Sequence, residues 1–158
     1  MIQQADSKNI SKLCDCIRRS FHSVAEKYNL NDRNCPTHPS FCREDWIRKA
    51  MNRGVQFYYL LHQNEMIGCV ALEEAGAGLG YLERLAVLPE YQKNGYGSRL
   101  VRYVLEEAIR RGLDRVSIAV IAEQSELSQW YERRGFLQTE VRHFEHLPFN
   151  VRFMEIKL

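Results

Sequence analysis

The segment Leu85–Val101, LAVLPEYQKNGYGSRLV, is the most informative part of the sequence, because an aliphatic run leads there through a proline into a turn with two glycines. Its first four residues are apolar enough for a buried strand, Pro89 ends that strand, and apolar residues from Leu100 onward recur at helical spacing. A helix that begins beside Gly97 presents backbone N–H groups without partners and a partial positive charge. Glycines let an anion approach such a backbone closely, so the turn predicts a phosphate-binding site.

Apolar spacing and turn residues on both sides of this stretch predict the other elements. Before it we expect a strand at 2–5, a helix from Ile10 to Tyr28, a loop at 29–39, a helix capped by Ser40 and ending at Gly54, strands at 55–63, 66–74 and 81–88, and AGAGLG (75–80) as a flexible connection. After it we expect helices at 97–111 and 125–134 and strands at 114–122, 136–143 and 149–157. The order β-α-α-β-β-β-α-β-α-β-β predicts an α/β (α+β layered) fold, a mixed sheet with helices on both faces in a single domain, 1–158.

Composition limits the classes of function. The chain has 158 residues, of which 45% are hydrophobic and 27% charged, as in one soluble globular domain. Its 22 Lys and Arg against 20 Asp and Glu are too balanced to favour nucleic acid or a membrane surface as a partner. Five cysteines without paired CxxC spacing indicate reduced thiols and a cytoplasmic protein, and the absence of ligand spacing predicts no metal.

Two motifs resemble those of a known superfamily. From Leu85 to Gly97 the chain follows L-x-V-x-P-x-x-Q-x-x-G-x-G, and about 35 residues later QWYERRGF (129–136) ends a helix with Y-E-x-x-G-F. Both motifs, and the order of elements over nearly the whole chain, resemble the GNAT superfamily of N-acetyltransferases, whose sheet is mixed and mostly antiparallel. The resemblance implies an acyltransferase that moves an acetyl group from acetyl-CoA, its co-substrate, to a primary amine by direct attack in a ternary complex.

The resemblance also implies where acetyl-CoA is held. Backbone groups of Leu85, Ala86 and Val87 would pair with the pantetheine arm in a splay between the strands at 81–88 and 115–121, and the Val87 N–H would polarise the thioester carbonyl. Tyr131 would protonate the departing thiolate. Gln124 stands seven residues before that tyrosine, where the family often has Asn. The residues implied around the pyrophosphate are Gln92, Lys93, Asn94, Gly95, Tyr96, Gly97 and Ser98.

The reaction also needs a group that removes a proton from the acceptor ammonium. Strict alternation along the strand at 81–88 would put Tyr81, Glu83, Leu85 and Val87 on one face. Glu83 would then lie roughly 13 Å from Val87, within reach of a water relay, and relatives often carry their base at this position or at that of Tyr81. Glu83 is therefore the predicted catalytic base.

Other interpretations stay open. Glu83 could instead form a surface ion pair with Arg84 or Arg115, which would leave Glu73 or Glu74 as the base. The histidines at 22, 38, 143 and 146 are a second class of base, although each is more typical of an ordinary packing or surface residue. The loop at 29–39 is interpreted as a lid on the acceptor pocket.

A catalytically degenerate sensor or scaffold that binds acyl-CoA without turnover is the alternative function. It predicts a missing acid and a blocked thioester position. The sequence leaves open the identity of the amine acceptor, small molecule or protein, the pathway, and whether the chain forms a homodimer.

Overall fold

Seven strands form one sheet in the order β1-β2-β3-β4-β5-β7-β6 in the computed structural model, which describes residues 1–158. Neighbouring strands are antiparallel except β4 and β5, which are parallel, so the predicted mixed and mostly antiparallel sheet is confirmed. The strands are β1 (Ile2–Gln4), β2 (Gln56–His62), β3 (Glu65–Gly76), β4 (Leu79–Val87), β5 (Arg115–Ile121), β6 (Leu137–His143) and β7 (Asn150–Lys157). The helices are α1 (Ile10–Lys27), α2 (Glu44–Asn52), α3 (Tyr96–Arg110) and α4 (Ser125–Glu132).

The helices cover the two faces of the sheet in pairs. On one face Tyr58 of β2 packs on Tyr103 of α3, with ring centroids 5.1 Å apart, and Gly68 of β3 leaves room for Leu100 of α3. A Cβ atom at Gly135, directly after α4, would lie 3.1 Å from Ile156 on this same face. We call it the α3/α4 face.

The opposite face carries α1 and α2, and we call it the α1/α2 face. Cys16 of α1 and Cys69 of β3 are buried neighbours at this interface, and Ile47 of α2 is fully buried. Apolar residues from both faces form one core of 31 buried residues, which holds the sheet and its helices as one layered unit. No helix is long and apolar enough to cross a membrane.

Two predicted details are wrong. The segment 75–80 is not a flexible connection, because β3 runs to Gly76 and β4 starts at Leu79. Ala77 (φ 53°) and Gly78 (φ 74°) both adopt the left-handed conformation of a tight hairpin turn, which the sequence AG conceals because alanine seldom adopts it. Ser40 does not cap α2: it lies in a short 3₁₀ turn, and the helix begins only at Glu44.

Candidate active site

The centre of the site is a gap in the sheet between β4 and β5. The two parallel strands pair only over three residues, ending at Tyr81 opposite Ser117. Beyond that point β4 continues to Val87 along β3, and β5 continues to Ile121 along β7. The facing strand edges are therefore left without a neighbouring strand, and their backbone groups are available to a ligand.

A β-bulge in β4 changes which side chains share a face. Opposite β3 the register passes from Ala71↔Glu83 to Cys69↔Ala86, so β4 carries one extra residue between these pairs. Arg84 lies in the bulge with φ 50°, a left-handed conformation that costs a non-glycine residue of the order of 1 kcal/mol.

The bulge overturns the predicted common face of Glu83 and Val87. Residues opposite one another in a sheet share a face, so Glu83 lies with Ala71 on the α1/α2 face. Val87 pairs with Gly68 and lies on the α3/α4 face. Strict alternation fails here because the extra residue shifts the period by one. The Glu83 carboxylate could therefore reach a ligand beside the Val87 side chain only through the gap, because the two lie on opposite faces of the sheet.

The backbone of Val87 faces the gap. The N–H of Leu88 donates to the carbonyl of Ile67 in β3, at 2.8 Å. N–H groups alternate in direction along a strand, so that of Val87 points away from β3 and toward β5. The Val87 carbonyl accepts a hydrogen bond from the Gln92 side chain at 2.9 Å, which ties the following turn to the end of β4.

The turn from Gln92 to Gly95 leads into α3 without any side-chain cap. Lys93 (φ 63°) and Gly95 (φ 85°) are both left-handed, and Gly95 is the N-cap residue. The backbone N–H groups of Tyr96, Gly97 and Ser98 have no acceptor in the chain. A helix N-terminus that lacks its own capping oxygen is suited to bind an anion, as the sequence predicts for this turn.

The start of α4 lies beside β5 at the edge of the gap. Gln124 precedes the first residue of α4 and is partly buried, and its backbone N–H donates to Ile121 at the end of β5. One turn later the hydroxyl of Ser128 is fully buried without a hydrogen-bond partner. A buried unpaired hydroxyl is unusual, and a polar ligand group in the gap could satisfy it.

Tyr131 of α4 is buried on the α3/α4 face. Its ring makes edge contacts with Trp130 and Phe136, at centroid distances of 4.9 and 5.4 Å. Burial raises the pKa of Tyr131 above its ordinary value, so the hydroxyl stays protonated at neutral pH. The side chain of Trp130 closes on α3, because a Cβ atom at Gly97 would lie 3.4 Å from its ring.

Arg134 joins α4 to the N-terminal turn of α3. Its guanidinium stacks on Trp130 at 3.5 Å from the ring centroid, and its Nε donates to the Ser98 hydroxyl at 3.1 Å. A cation therefore lies beside the free N–H groups of α3, which strengthens the positive potential there. The sequence favours the pair Arg133-Arg134 for the 3′-phosphate region of coenzyme A or for solvent, but nothing in the motif indicates that Arg134 folds back onto α3.

Two carboxylates occupy the α1/α2 face at the gap. Glu83 and Glu73 are diagonal neighbours on β4 and β3, and Glu73 also lies 3.7 Å from Arg53. Burial, followed by the charge of Glu73, raises the pKa of Glu83 to about 7. A carboxylate with a pKa near neutrality accepts and releases a proton readily at that pH.

The alternative bases fit less well. Glu74 lies on the α3/α4 face and binds Arg111 at 3.2 Å, and Arg115 pairs with Glu155 instead of Glu83. His38 is buried next to Ser40, and burial lowers its pKa to about 4, so it is a packing residue.

The three other candidate histidines, at 22, 143 and 146, are exposed. His22 binds Glu26, His143 binds Asn150, and His146 makes an edge contact with Phe144. They lie on separate elements rather than converging on the gap. No group of three or more His, Cys, Asp or Glu side chains is arranged to hold a metal ion.

The loop at 29–39 contacts the loop between β6 and β7. Leu30 and Cys35 form a small apolar cluster with Ala25 of α1, and Leu147 and Phe149 pack against it. The loop also borders a cavity of about 460 Å³ beside the C-terminal half of α1. The predicted lid is thus fixed by packing at its base.

The chain is similar to one protein family over most of its length. The family described as Acetyltransferase (GNAT) matches residues 19–136. The amino-acid acetyltransferase of Neisseria meningitidis is 34% identical over 82 residues, which cover 51% of this chain and only 18% of that protein. The ribosomal protein bS18-alanine N-acetyltransferase of Escherichia coli is 28% identical over 100 residues, which cover 61% of this chain and 68% of that protein.

Solved structures share the fold. The crystal structure of the ribosomal-protein-S18-alanine N-acetyltransferase from Escherichia coli superposes with a TM-score of 0.79 at 16% identity, covering 99% of this chain and 92% of the other. The PaiA N-acetyltransferase from Thermoplasma acidophilum, in complex with coenzyme A, gives 0.78 at 18% identity, covering 100% and 98%. Because the family match covers most of its length, the chain belongs to the GNAT acetyltransferase family.

Proposed function

We propose that this enzyme transfers the acetyl group of acetyl-CoA to a primary amine by direct attack in a ternary complex. The observation that carries the proposal is the gap between β4 and β5, which has an anion-binding helix N-terminus on one face and a carboxylate of raised pKa on the other. Acetyl-CoA would supply an activated acetyl thioester in this gap. Relatives of the same fold support this choice of co-substrate, since one is described with coenzyme A and another with acetyl-CoA bound.

The α3/α4 face is suited to hold the nucleotide end of acetyl-CoA. The free N–H groups of residues 96–98, with the neighbouring Arg134, offer donors and positive charge to a pyrophosphate. The open edge of β4 offers hydrogen bonds to the amides of the pantetheine arm. The Val87 N–H, directed into the gap, is the donor suited to stabilise negative charge that develops on the carbonyl oxygen.

The amine would approach from the α1/α2 face. Glu83 would take its proton, directly or through water, because attack on a thioester requires a neutral amine. Tyr131 would act from the opposite face and donate a proton to the departing sulfur. The base and the acid thus stand on different faces of the sheet, which keeps their two proton transfers apart.

Direct attack fits the state of Cys42 and Cys69. All five are buried, including Cys42 and Cys69 behind the α1/α2 face of the gap. Burial raises the pKa of Cys42 to about 12, and the pKa of Cys69 is also raised, most by its hydrogen bond with Cys16 and then by burial. Because the thiolate is the nucleophile, these two groups are poorly suited to carry an acetyl group.

A thiol-release assay with acetyl-CoA and a panel of primary amines tests the proposal. We expect release of coenzyme A that depends on the amine, with the acetylated amine identified by mass spectrometry. Acetyl-CoA that raises the melting temperature without amine-dependent release for any amine would instead favour a binding protein without turnover.

A further inference from the structure

Arg84 is a partly buried cation without a partner. No guanidinium nitrogen of Arg84 donates a hydrogen bond within the chain or forms an ion pair with a carboxylate, whereas Arg53 and Arg115 both have carboxylate partners. Its Nη1 atom is shielded from solvent and unpaired. Removing part of a guanidinium from water without a compensating anion is costly, so the chain maintains this arrangement at the expense of stability.

The position of Arg84 is specific. It occupies the β-bulge with φ 50°, and bulges often re-aim a side chain beside an active site. Its guanidinium lies 5.8 Å from the ring centroid of Phe57, which pairs with Ala71 on the α1/α2 face. Its charge acts on the carboxyl of Glu83 and on the thiol of Cys42. The cation is therefore next to the candidate base, on the face from which the amine would approach.

The two kinds of charge stand side by side. Glu83 and Glu73 attract an ammonium group, and Arg84 offers planar donors to an anion. A single cation beside two carboxylates suits a group with one negative charge, since a doubly charged phosphate would be repelled by both acids. A ligand that matches both kinds of charge has an ammonium group and a carboxylate group joined by a short chain.

We propose that Arg84 binds the carboxylate of the acceptor and that this acceptor is a free amino acid. The inference rests on the proposed function, because it names the amine that the gap receives. At a protein N-terminus the corresponding carboxyl is an amide without charge. When such a substrate binds, the guanidinium of Arg84 would stay unpaired. Arg84 would therefore discriminate against protein N-termini.

Matched acceptors test this directly. The twenty L-amino acids, each paired with its carboxamide, and N-terminal dipeptide amides are assayed by thiol release with acetyl-CoA. A hydrogen bond to a charged group contributes about 1.5–3 kcal/mol, so for the best acceptor we expect kcat/KM of the acid to exceed that of the amide by roughly 10- to 100-fold. This comparison needs only the wild-type protein and does not depend on the folding of a variant.

Variants then assign the preference to Arg84. Arg84→Gln should lower kcat/KM for the acid by about the same factor and leave the amide within about threefold, and Arg84→Lys should restore part of the difference. Arg48→Gln, at an exposed position of α2 without an ion pair, is the matched control and should change neither.

Several results would overturn the inference. Equal rates for acids and amides, or faster acetylation of the dipeptide amides, would remove the carboxylate from recognition. If Arg84→Gln lowers kcat/KM equally for the acid and for its amide, Arg84 has a structural role. Acetylation of other primary amines without acceptance of any amino acid, or without a preference for the acid over its amide, overturns the inference and leaves the proposed function standing. Only the absence of acetylation for every primary amine, including those outside this set, removes both.

Discussion

The two faces of the gap are built in different ways. On the α3/α4 face the groups that would meet acetyl-CoA belong mostly to the backbone, namely the open edge of β4 and the uncapped N-terminus of α3. On the α1/α2 face they are side chains: Glu73 and Glu83 on neighbouring strands, and Arg84 in the bulge of β4. A backbone site leaves a motif in the sequence because it requires glycines and a fixed turn. A side-chain site depends on strand register, which one extra residue reverses.

The first face suits a co-substrate common to many enzymes, whereas the second suits an acceptor that differs between them. Changes on the two faces should therefore affect different steps. Changes on the α3/α4 face should alter acetyl-CoA binding or the leaving step, and changes on the α1/α2 face should alter proton removal and acceptor choice.

The largest effect is expected for Glu83→Gln. This change keeps the volume but removes the base, so kcat/KM should fall roughly 10²- to 10⁴-fold at neutral pH and recover partly at high pH, where more of the amine is already neutral. Wild-type kcat/KM should rise as pH passes through about 7, where Glu83 ionises. Steady-state rates from pH 5.5 to 9.5 check this. Glu74→Gln, on the opposite face of the sheet, is the control. A pH profile of Glu83→Gln identical to that of the wild type would show that Glu83 is not the base.

Tyr131→Phe should lower kcat by roughly 10- to 1000-fold and leave acetyl-CoA affinity nearly unchanged, because only the proton donor is removed. Tyr103→Phe, in α3 against Tyr58, is a control that removes a hydroxyl outside the gap. Single-turnover rates separate the chemical step from product release. A large loss of affinity instead would mean that the hydroxyl serves binding.

Gly95→Asp should abolish the effect of acetyl-CoA on thermal stability. At about 100 times its Kd, acetyl-CoA should raise the melting temperature of the wild type by roughly 5–10 °C. An aspartate beside the free N–H groups of α3 places a negative charge where pyrophosphate would bind. Gly54→Asp is a matched control, since both glycines are left-handed with open space around the added Cβ. A full shift in Gly95→Asp would place the phosphates elsewhere.

The smallest effect concerns stability. Because the pKa of Glu83 is raised to about 7 in the folded state, the folded protein keeps a proton that the unfolded chain releases near pH 4.5. Wild-type stability should therefore fall as pH rises from about 5 to above 7, by about 1–2 kcal/mol after allowance for partial exposure. Glu83→Gln should escape this loss and be relatively more stable at pH 8. If the unfolding free energies of Glu83→Gln and of the wild type differ by the same amount at pH 5 and at pH 8, the raised pKa of Glu83 is contradicted.

Much of this molecule can be predicted from its sequence. The order of elements follows from periodicity, the mostly antiparallel sheet is implied by the resemblance that the two motifs carry, and the turn at 92–98 has the predicted uncapped geometry. The prediction that Glu83 and Val87 share one face is wrong, because no local signal in the sequence marks a bulge at an arginine with positive φ. The positions of Arg84 and Arg134 depend on contacts between elements distant in sequence, which spacing alone does not reveal.

The central claim is that acetyl-CoA binds on the α3/α4 face and the acceptor on the α1/α2 face. The most direct test is the affinity of Glu83→Gln for acetyl-CoA, measured by calorimetric titration beside the wild type. Glu83 lies on the α1/α2 face, so the account predicts a Kd within about twofold of the wild type even though turnover falls at least about 100-fold. A Kd that weakens in proportion to the loss of turnover would contradict it, because acetyl-CoA and the acceptor would then share one face of the gap.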